Sequence, residues 1–197
     1  MRIEINKKPV TNFLSAAVNR SVEKLVGGFR AEATFSRFNS LPFEYGDQVD
    51  VYIQDEQVFS GWIDVFDINY SSGQKSISIG SKSKAVDLLE SSVRGLAFNP
   101  PITLRQVFKK VLQKINLNID VVDNTGISSL TKNDMVVAED AQNLWDFLSR
   151  ICIKRQVMAY SLGNGDILLT RQFTGRDVNT GAIINNPNST FNNILSA

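Results

Sequence analysis

The sequence predicts a mainly β protein with α+β: a small antiparallel β-barrel followed by an α+β module. Three observations predict it. Apolar and polar side chains alternate with a period of two through residues 1–81. Two amphipathic helical stripes follow Lys82, and a hairpin pattern closes the second part. Period two marks strands buried on one face, and i, i+3, i+4 spacing marks helices buried along one stripe.

The strands come in order. Ile3 and Ile5 alternate with Arg2 and Glu4; Phe29, Ala31, Ala33 and Phe35 alternate with Arg30, Glu32 and Thr34. Val49, Val51 and Ile53 alternate with Asp50, Tyr52 and Gln54, and Ile77 and Ile79 with Ser76, Ser78 and Gly80. Gln54-Asp55-Glu56-Gln57 and Ser71-Ser72-Gly73-Gln74 read as hairpin turns. In the long strand-forming segment 58–70 the apolar face switches. Ile63 and Val65 lie on one parity, and Phe66, Ile68 and Tyr70 on the other. A bulge or bend near Val65-Phe66 accounts for the switch and suits a small closed barrel.

After Lys82 the pattern changes. Residues 83–90 allow one or two helical turns, and Asn99-Pro100-Pro101 is a rigid break. Thr103 is placed to cap a helix whose stripe is Leu104, Val107, Phe108, Val111, Leu112 and Ile115. Leu117 to Val122 reads as a strand. Asp140 is placed to cap a second helix with Ala141, Leu144, Trp145, Leu148, Ile151 and Cys152 on one face. Val157 to Leu162, the turn Gly163-Asn164-Gly165, and Asp166 to Arg171 read as a β-hairpin. The expected organisation is a barrel over 1–97, an α+β module over 98–184 and an Asn-rich linker over 185–197, where five of the nine residues from Asn185 to Asn193 are asparagine.

Composition narrows the chemistry. The chain has 197 residues, 21 Lys+Arg against 20 Asp+Glu, no histidine and one cysteine, Cys152. Without histidine there is no Ser-His-Asp triad, Cys-His dyad or His-ligated metal. One cysteine allows no internal disulfide, so nothing here requires an oxidising compartment. Near-zero net charge argues against a protein devoted to neutralising phosphates. No N-terminal apolar targeting region is visible, and no apolar run approaches the roughly 20 residues of a membrane span. A soluble protein made in the cytoplasm is expected.

Charge is nevertheless segregated. Glu44, Asp47, Asp50, Asp55, Glu56, Asp64 and Asp67 follow one another without an intervening Lys or Arg. Arg94, Arg105, Lys109, Lys110 and Lys114 do so without an acid. Solvated faces are the plain reading. Complementary patches between subunits are the functional one. A nucleic-acid grip by the basic helix is the weakest, since no aromatics interleave the cations. Asp64 with Asp67, or Glu44 with Asp47, are the only carboxylate pairs to weigh for acid–base hydrolysis, and nothing sets either about a scissile bond. Gly27-Gly28 and Gly163-Asn164-Gly165 do not precede helices as phosphate loops do. Cys152 on an apolar stripe reads as a buried thiol, and Trp145 as packing. The residues themselves predict no enzyme, no catalytic residues, no cofactor and no metal, and leave binding or assembly, with interface residues unknown.

Two stretches carry a resemblance. Val58 to Val93 places Gly61, Ile63 and Asp64 on a strand, then a polar hairpin, an alternating strand, and Gly80, Ser81, Lys82, Asp87, Leu88 and Leu89 in a turn into a short helix. This resembles the first-barrel signature of Mu-like phage baseplate hub proteins, with Ser81 at a position that is often Arg. Ala138 to Arg171 carries Glu139, Trp145, Asp146, Phe147, Leu148, Arg150, Ile151 and Cys152, then Gly165, Asp166, Ile167 and Leu169. It is similar to a helix–hairpin pattern of phage hubs and of the N-terminal hub region of type VI secretion spikes, with Arg155-Gln156 where a glycine often follows the helix.

The resemblance implies a structural role. Family hubs are homotrimers in the baseplate of a contractile tail. Each subunit supplies two similar barrels, so that three subunits join the hexameric tail tube, or a distal tube protein, above to the trimeric central spike below. A tape measure protein is a further possible partner. DNA passes through the lumen at genome ejection without sequence-specific binding. The implied location is the virion, assembled in the host cytoplasm. A second barrel is expected after the α+β module, and Phe191 to Ala197 resembles its beginning, so that barrel is apparently missing from this chain. The alternatives are the hub region of a tailocin or type VI machine or, from another class, a glycan- or nucleic-acid-binding barrel.

Overall fold

The computed structural model describes residues 1–11, 13–21, 24–34, 43–71, 74–92, 94–96, 98–134 and 142–171. Seven strands form one antiparallel sheet: β1 (Arg2–Ile5), β2 (Lys8–Val10), β3 (Phe13–Asn19), β4 (Gly28–Thr34), β5 (Gln48–Ile53), β6 (Glu56–Ser71) and β7 (Gln74–Ser83), paired in the order β2-β1-β5-β6-β7-β4-β3. The β1–β2 and β5–β6 joints are two-residue turns, Asn6-Lys7 and Gln54-Asp55, and all four residues have positive φ. Such turns match the right-handed twist of the strands they join.

The period-two residues form one core. Ile3 and Ile5 of β1 and Phe29 and Ala31 of β4 belong to the same buried cluster as Val49, Val51, Phe59, Ile63, Ile77 and Ile79. Strands far apart in the pairing order share this cluster, so the sheet curls over it. The closed barrel expected from the sequence is not found. Among the described residues β2 and β3 remain edges of an open sheet. Strand β2 has three residues with Pro9 in the middle, and proline lacks the N–H that closure would need.

Strand β6 carries the bend. Ile63 pairs with Ser81 and Val65 with Gly80, which leaves Asp64 as the extra residue of a bulge. Ile63 is buried, while Phe66 and Ile68 lie partly buried against the same cluster. The expected face switch is therefore present, but it falls before Val65. Val65, expected beside Ile63, is 47% exposed because the inserted residue turns it outward. Two residues before the bulge, a Cβ on Gly61 would collide with the Lys82 carbonyl and meet the Phe59 ring at 2.7 Å.

The second part holds α1 (Val86–Glu90), α2 (Leu104–Lys114), β8 (Val121–Asp123), a 3₁₀ turn at Lys132–Asp134, α3 (Leu144–Lys154), β9 (Val157–Ser161) and β10 (Ile167–Arg171). Strand β10 runs antiparallel to β9 and parallel to β8. Helix α2 buries Leu104, Val107, Phe108, Val111 and Leu112 as its spacing predicts. The Gln106 N–H donates to Thr103 Oγ1 at 3.2 Å, and the Thr103 N–H donates to Gln106 Oε1 at 2.9 Å. This capping box is worth about 1 kcal/mol. The strand expected over Leu117 to Val122 is shorter and lies at Val121–Asp123.

Helix α3 departs from expectation in two ways. Its N-cap is Asn143, whose Oδ1 accepts the Trp145 N–H at 2.8 Å and the Asp146 N–H at 3.3 Å, while its side-chain amide donates to the Leu89 carbonyl. The expected cap Asp140 lies outside the described residues, as do Ala141, Glu139 and the segment 185–197. The buried stripe is Leu144, Phe147, Leu148, Ile151 and Cys152, and Trp145 is only partly buried at its border. At 3.6 residues per turn, positions three, four, seven and eight beyond Leu144 share its face, and the next residue stands about 100° away. The Phe98 ring stacks on Phe147 with centroids 5.7 Å apart.

Candidate functional site

The tip of the β9–β10 hairpin rests on the first residues of β6. A Cβ at Gly163 would collide with the Gln57 carbonyl oxygen and lie 3.0 Å from Val58 Cα. Gly165 is buried, has φ +90° and faces the Ser60 and Lys84 side chains. The Arg20 guanidinium donates to the Ser161 carbonyl at 2.9 Å and the Val58 carbonyl at 3.4 Å, joining β9 to β6. The Ser161 N–H donates to the Leu25 carbonyl at 3.2 Å. The Gly163 and Ser161 contacts couple the curled sheet to the α+β part through backbone, and the Arg20 side chain adds two further bonds across the same junction.

Beside this junction lies a buried carboxylate. Asp50 is 4% exposed and sits between two core valines, its side chain on the opposite face of β5. Ser60 donates to it at 2.6 Å, Gln57 at 2.8 Å, and Gln48 at 2.8 and 3.1 Å. Sequence counted Asp50 among a run of surface acids. Alternation gave no hint that both faces of β5 are covered. Arg20 and the clamping role of Gly163 also went unread, because each acts on a segment far away in the chain.

The remaining segregated charge is on the surface. The Lys82 ammonium bridges Asp64 at 3.1 Å and Glu90 at 3.2 Å at the edge of a recess of about 380 Å³ that Trp62 and Asp87 also line. Burial, and next the charge of Glu90, push the Asp87 carboxyl above the usual carboxylate range. On α2, Arg105 and Lys109 share Asp120 at 3.5 and 2.9 Å, while Lys110 and Lys114 project into solvent. A wider groove of about 540 Å³ separates the first turn of α2 from the 123–127 loop. Its polar groups are spent internally: the Thr125 hydroxyl donates to Asp123 at 2.6 Å, and Thr103 and Gln106 cap the helix.

The residues weighed for chemistry do not assemble into a reactive set. Asp64 is held by Lys82, Asp67 is exposed on β6, and an Asp47 carboxylate oxygen accepts the Glu44 N–H at 2.7 Å. Cys152 is buried on α3, and burial pushes its thiol up to about 12. Ser81 is paired between Phe29 and Ile63, and its buried hydroxyl has no partner among the described residues. Among those residues no group of three or more Cys, Asp or Glu could hold a metal ion, and no helix is long and apolar enough to cross a membrane.

No family model and no curated protein matches the sequence. Solved structures do match. The 43 kDa tail protein of prophage MuSo2 from Shewanella oneidensis aligns over 86% of this chain and 54% of its own, with a TM-score of 0.75 and 23% identity. A tail protein from Neisseria meningitidis MC58 aligns over 85% of this chain and 49% of its own, with a TM-score of 0.72 and 15% identity. An E. coli component of the type VI secretion system, described as structurally similar to bacteriophage T4 tail proteins, aligns over 89% of this chain and 50% of its own, with a TM-score of 0.65 and 14% identity. The chain therefore spans about half the length of each and shares their fold, the fold that the sequence resemblance implied.

Proposed function

We propose that this chain is a structural component of a contractile phage tail, placed in the baseplate hub. The observation that carries the reading is the fold held in common, over more than four-fifths of the chain, with two phage-type tail proteins. The junction supports it. Clamping the hairpin tip onto β6 makes the curled sheet and the α+β part move together, as a subunit of a load-bearing ring requires. We take residues 1–97 and 98–184 as the two units so joined, with α1 of the first lending Leu88 to the core of the second. In this reading three subunits form a ring between the hexameric tube and the trimeric spike, with a DNA-conducting lumen. The chain works by assembly rather than catalysis.

The similarity to a type VI component favours a second reading, the hub region of another contractile machine, in which the same ring sits at the head of an injected spike.

The test is quantitative mass spectrometry of purified tail particles from the source. The expected result is this chain at half the copy number of one hexameric tube ring. Its absence from particles would overturn the structural reading.

A further inference from the structure

Helix α2 turns half its surface to solvent. That half carries Arg105, Gln106, Lys109, Lys110, Gln113 and Lys114, and no acid. At 100° per residue these six cover an arc of about 180°. Asp120 offsets one edge of the arc through Arg105 and Lys109. Lys110 and Lys114, one turn apart, form no ion pair among the described residues. The recess between the curled sheet and α1 has the reverse imbalance: Asp64, Asp87 and Glu90 line it against one cation, Lys82, which bridges the first and the last, while the Lys84 ammonium lies over the Trp62 ring, 5.8 Å from its centre.

We infer that the Lys110–Lys114 face of α2 docks into the Asp64–Asp87–Glu90 recess of a second copy of this chain. Each surface carries surplus charge of the sign the other lacks, and no ion pair joins them within one molecule among the described residues. A cation entering the recess would find Asp87, the carboxylate Lys82 does not bridge. The helix face has no aromatic side chain on which a base could stack, and the chain as a whole carries a formal net charge of only +1, so a nucleic-acid partner fits less well. A contact between two different faces is heterologous and closes into a ring when the rotation between neighbours allows it. Because it names the partner surfaces within the assembly reading, it rests on that reading.

A charge-swap mixing experiment on the full chain tests it. Self-association is followed by sedimentation velocity at about 50 mM and about 500 mM salt, for the native chain, for Lys110→Glu with Lys114→Glu, and for Asp64→Lys with Glu90→Lys. All four positions are exposed, and circular dichroism melting checks that both variants fold. The native chain is expected to associate at low salt, and each variant to lose at least about tenfold in affinity. An equimolar mixture of the two variants is expected to recover pairing between unlike chains, since the acidic helix of one then meets the basic recess of the other; a ring of three would keep one joint between like variants, so the mixed pair is the species read. A native chain that stays monomeric, a variant that associates as tightly as the native chain, or a mixture that forms no mixed pair each overturns the proposal. So does charge-reversible binding of duplex DNA by α2 without self-association, which would point to nucleic acid. The assembly reading fails separately, by the chain's absence from tail particles. A chain found in particles whose association ignores these charges overturns the docking alone.

Discussion

Gly163 lies directly against the backbone of Gln57, with no room for a Cβ between the hairpin tip and β6. The carbonyl it would strike belongs to main chain, which cannot rotate away as a side-chain end can. Gly163→Ala must therefore lift the hairpin and loosen the Arg20 bonds to Ser161 and Val58. The expected loss is about 1–3 kcal/mol, the usual cost of forcing extra atoms into a packed contact. Thermal unfolding gives the magnitude, and amide exchange should show the Ser161 N–H losing protection first. An unchanged midpoint would mean the two parts are not clamped at this point.

Phe147 and Trp145 separate the core of α3 from its border. Phe147 is fully buried and stacked on Phe98, whereas Trp145 packs only partly against the same cluster. Phe147→Ala should cost about 3–5 kcal/mol. Trp145→Ala should cost less, since Trp145 is only partly buried at the border of that cluster and loses less packing than Phe147. Denaturant unfolding of both variants decides the order, and a larger loss at Trp145 would contradict the packing described.

What the sequence revealed and what it concealed follow from the range of each signal. The α2 stripe and its Thr103 cap are set by residues within four positions of one another, and both were legible. Trp145 misled because a large aromatic next to Leu144 looks like core, although helical geometry gives that face to Phe147. The bulge was legible as a parity switch, but only the β7 pairing shows that Asp64 is the inserted residue. Asp50, Arg20 and Gly163 were illegible as a site, since their partners lie in other strands and no local period records a contact between sheets.

Gln156 occupies a glycine position. It follows the α3 C-cap Arg155, has φ +54° and is exposed. The left-handed conformation there ends the helix but crowds a Cβ against backbone. The sequence resemblance places a glycine at this point. Gln156→Gly should stabilise the fold by up to about 1 kcal/mol, after the extra freedom glycine gives the unfolded chain is subtracted. A lower melting temperature for this variant would show that the Gln156 side chain makes a contact outweighing its strain.

Asp50 satisfies three side-chain donors at once. Its removal leaves the buried Ser60 hydroxyl and the half-buried Gln48 and Gln57 amides without their acceptor. Asp50→Ala should cost about 2–4 kcal/mol and Ser60→Ala about 1–2 kcal/mol. The double variant should cost less than the sum, because the Ser60 bond is lost in either case. A double-mutant cycle by urea unfolding reads the coupling. Additive losses would mean that Ser60 and Asp50 do not act as one network.

Asp120 gives the fold an acid-sensitive element. Its hydrogen bond to Lys109, then that from the Val121 N–H, with the charge of Arg105 beside them, hold its carboxyl down at about 2 against an ordinary 3.8. The unfolded chain therefore binds this proton at a higher pH than the folded chain does. The resulting stabilisation is fully present above the unfolded value of 3.8 and is lost as pH falls through about 2. Carboxyl-carbon NMR titration of the native protein should place Asp120 at about 2. Lys109→Gln should move it up toward 3.8, and high salt should move it the same way, since the side chain is half-exposed and its ion pairs are screened. Lys110→Gln, one residue further on and without an ion pair to Asp120, should leave it in place. A native titration already at the ordinary value would show that Lys109 and Arg105 do not hold Asp120, and with it the link from α2 to the start of β8.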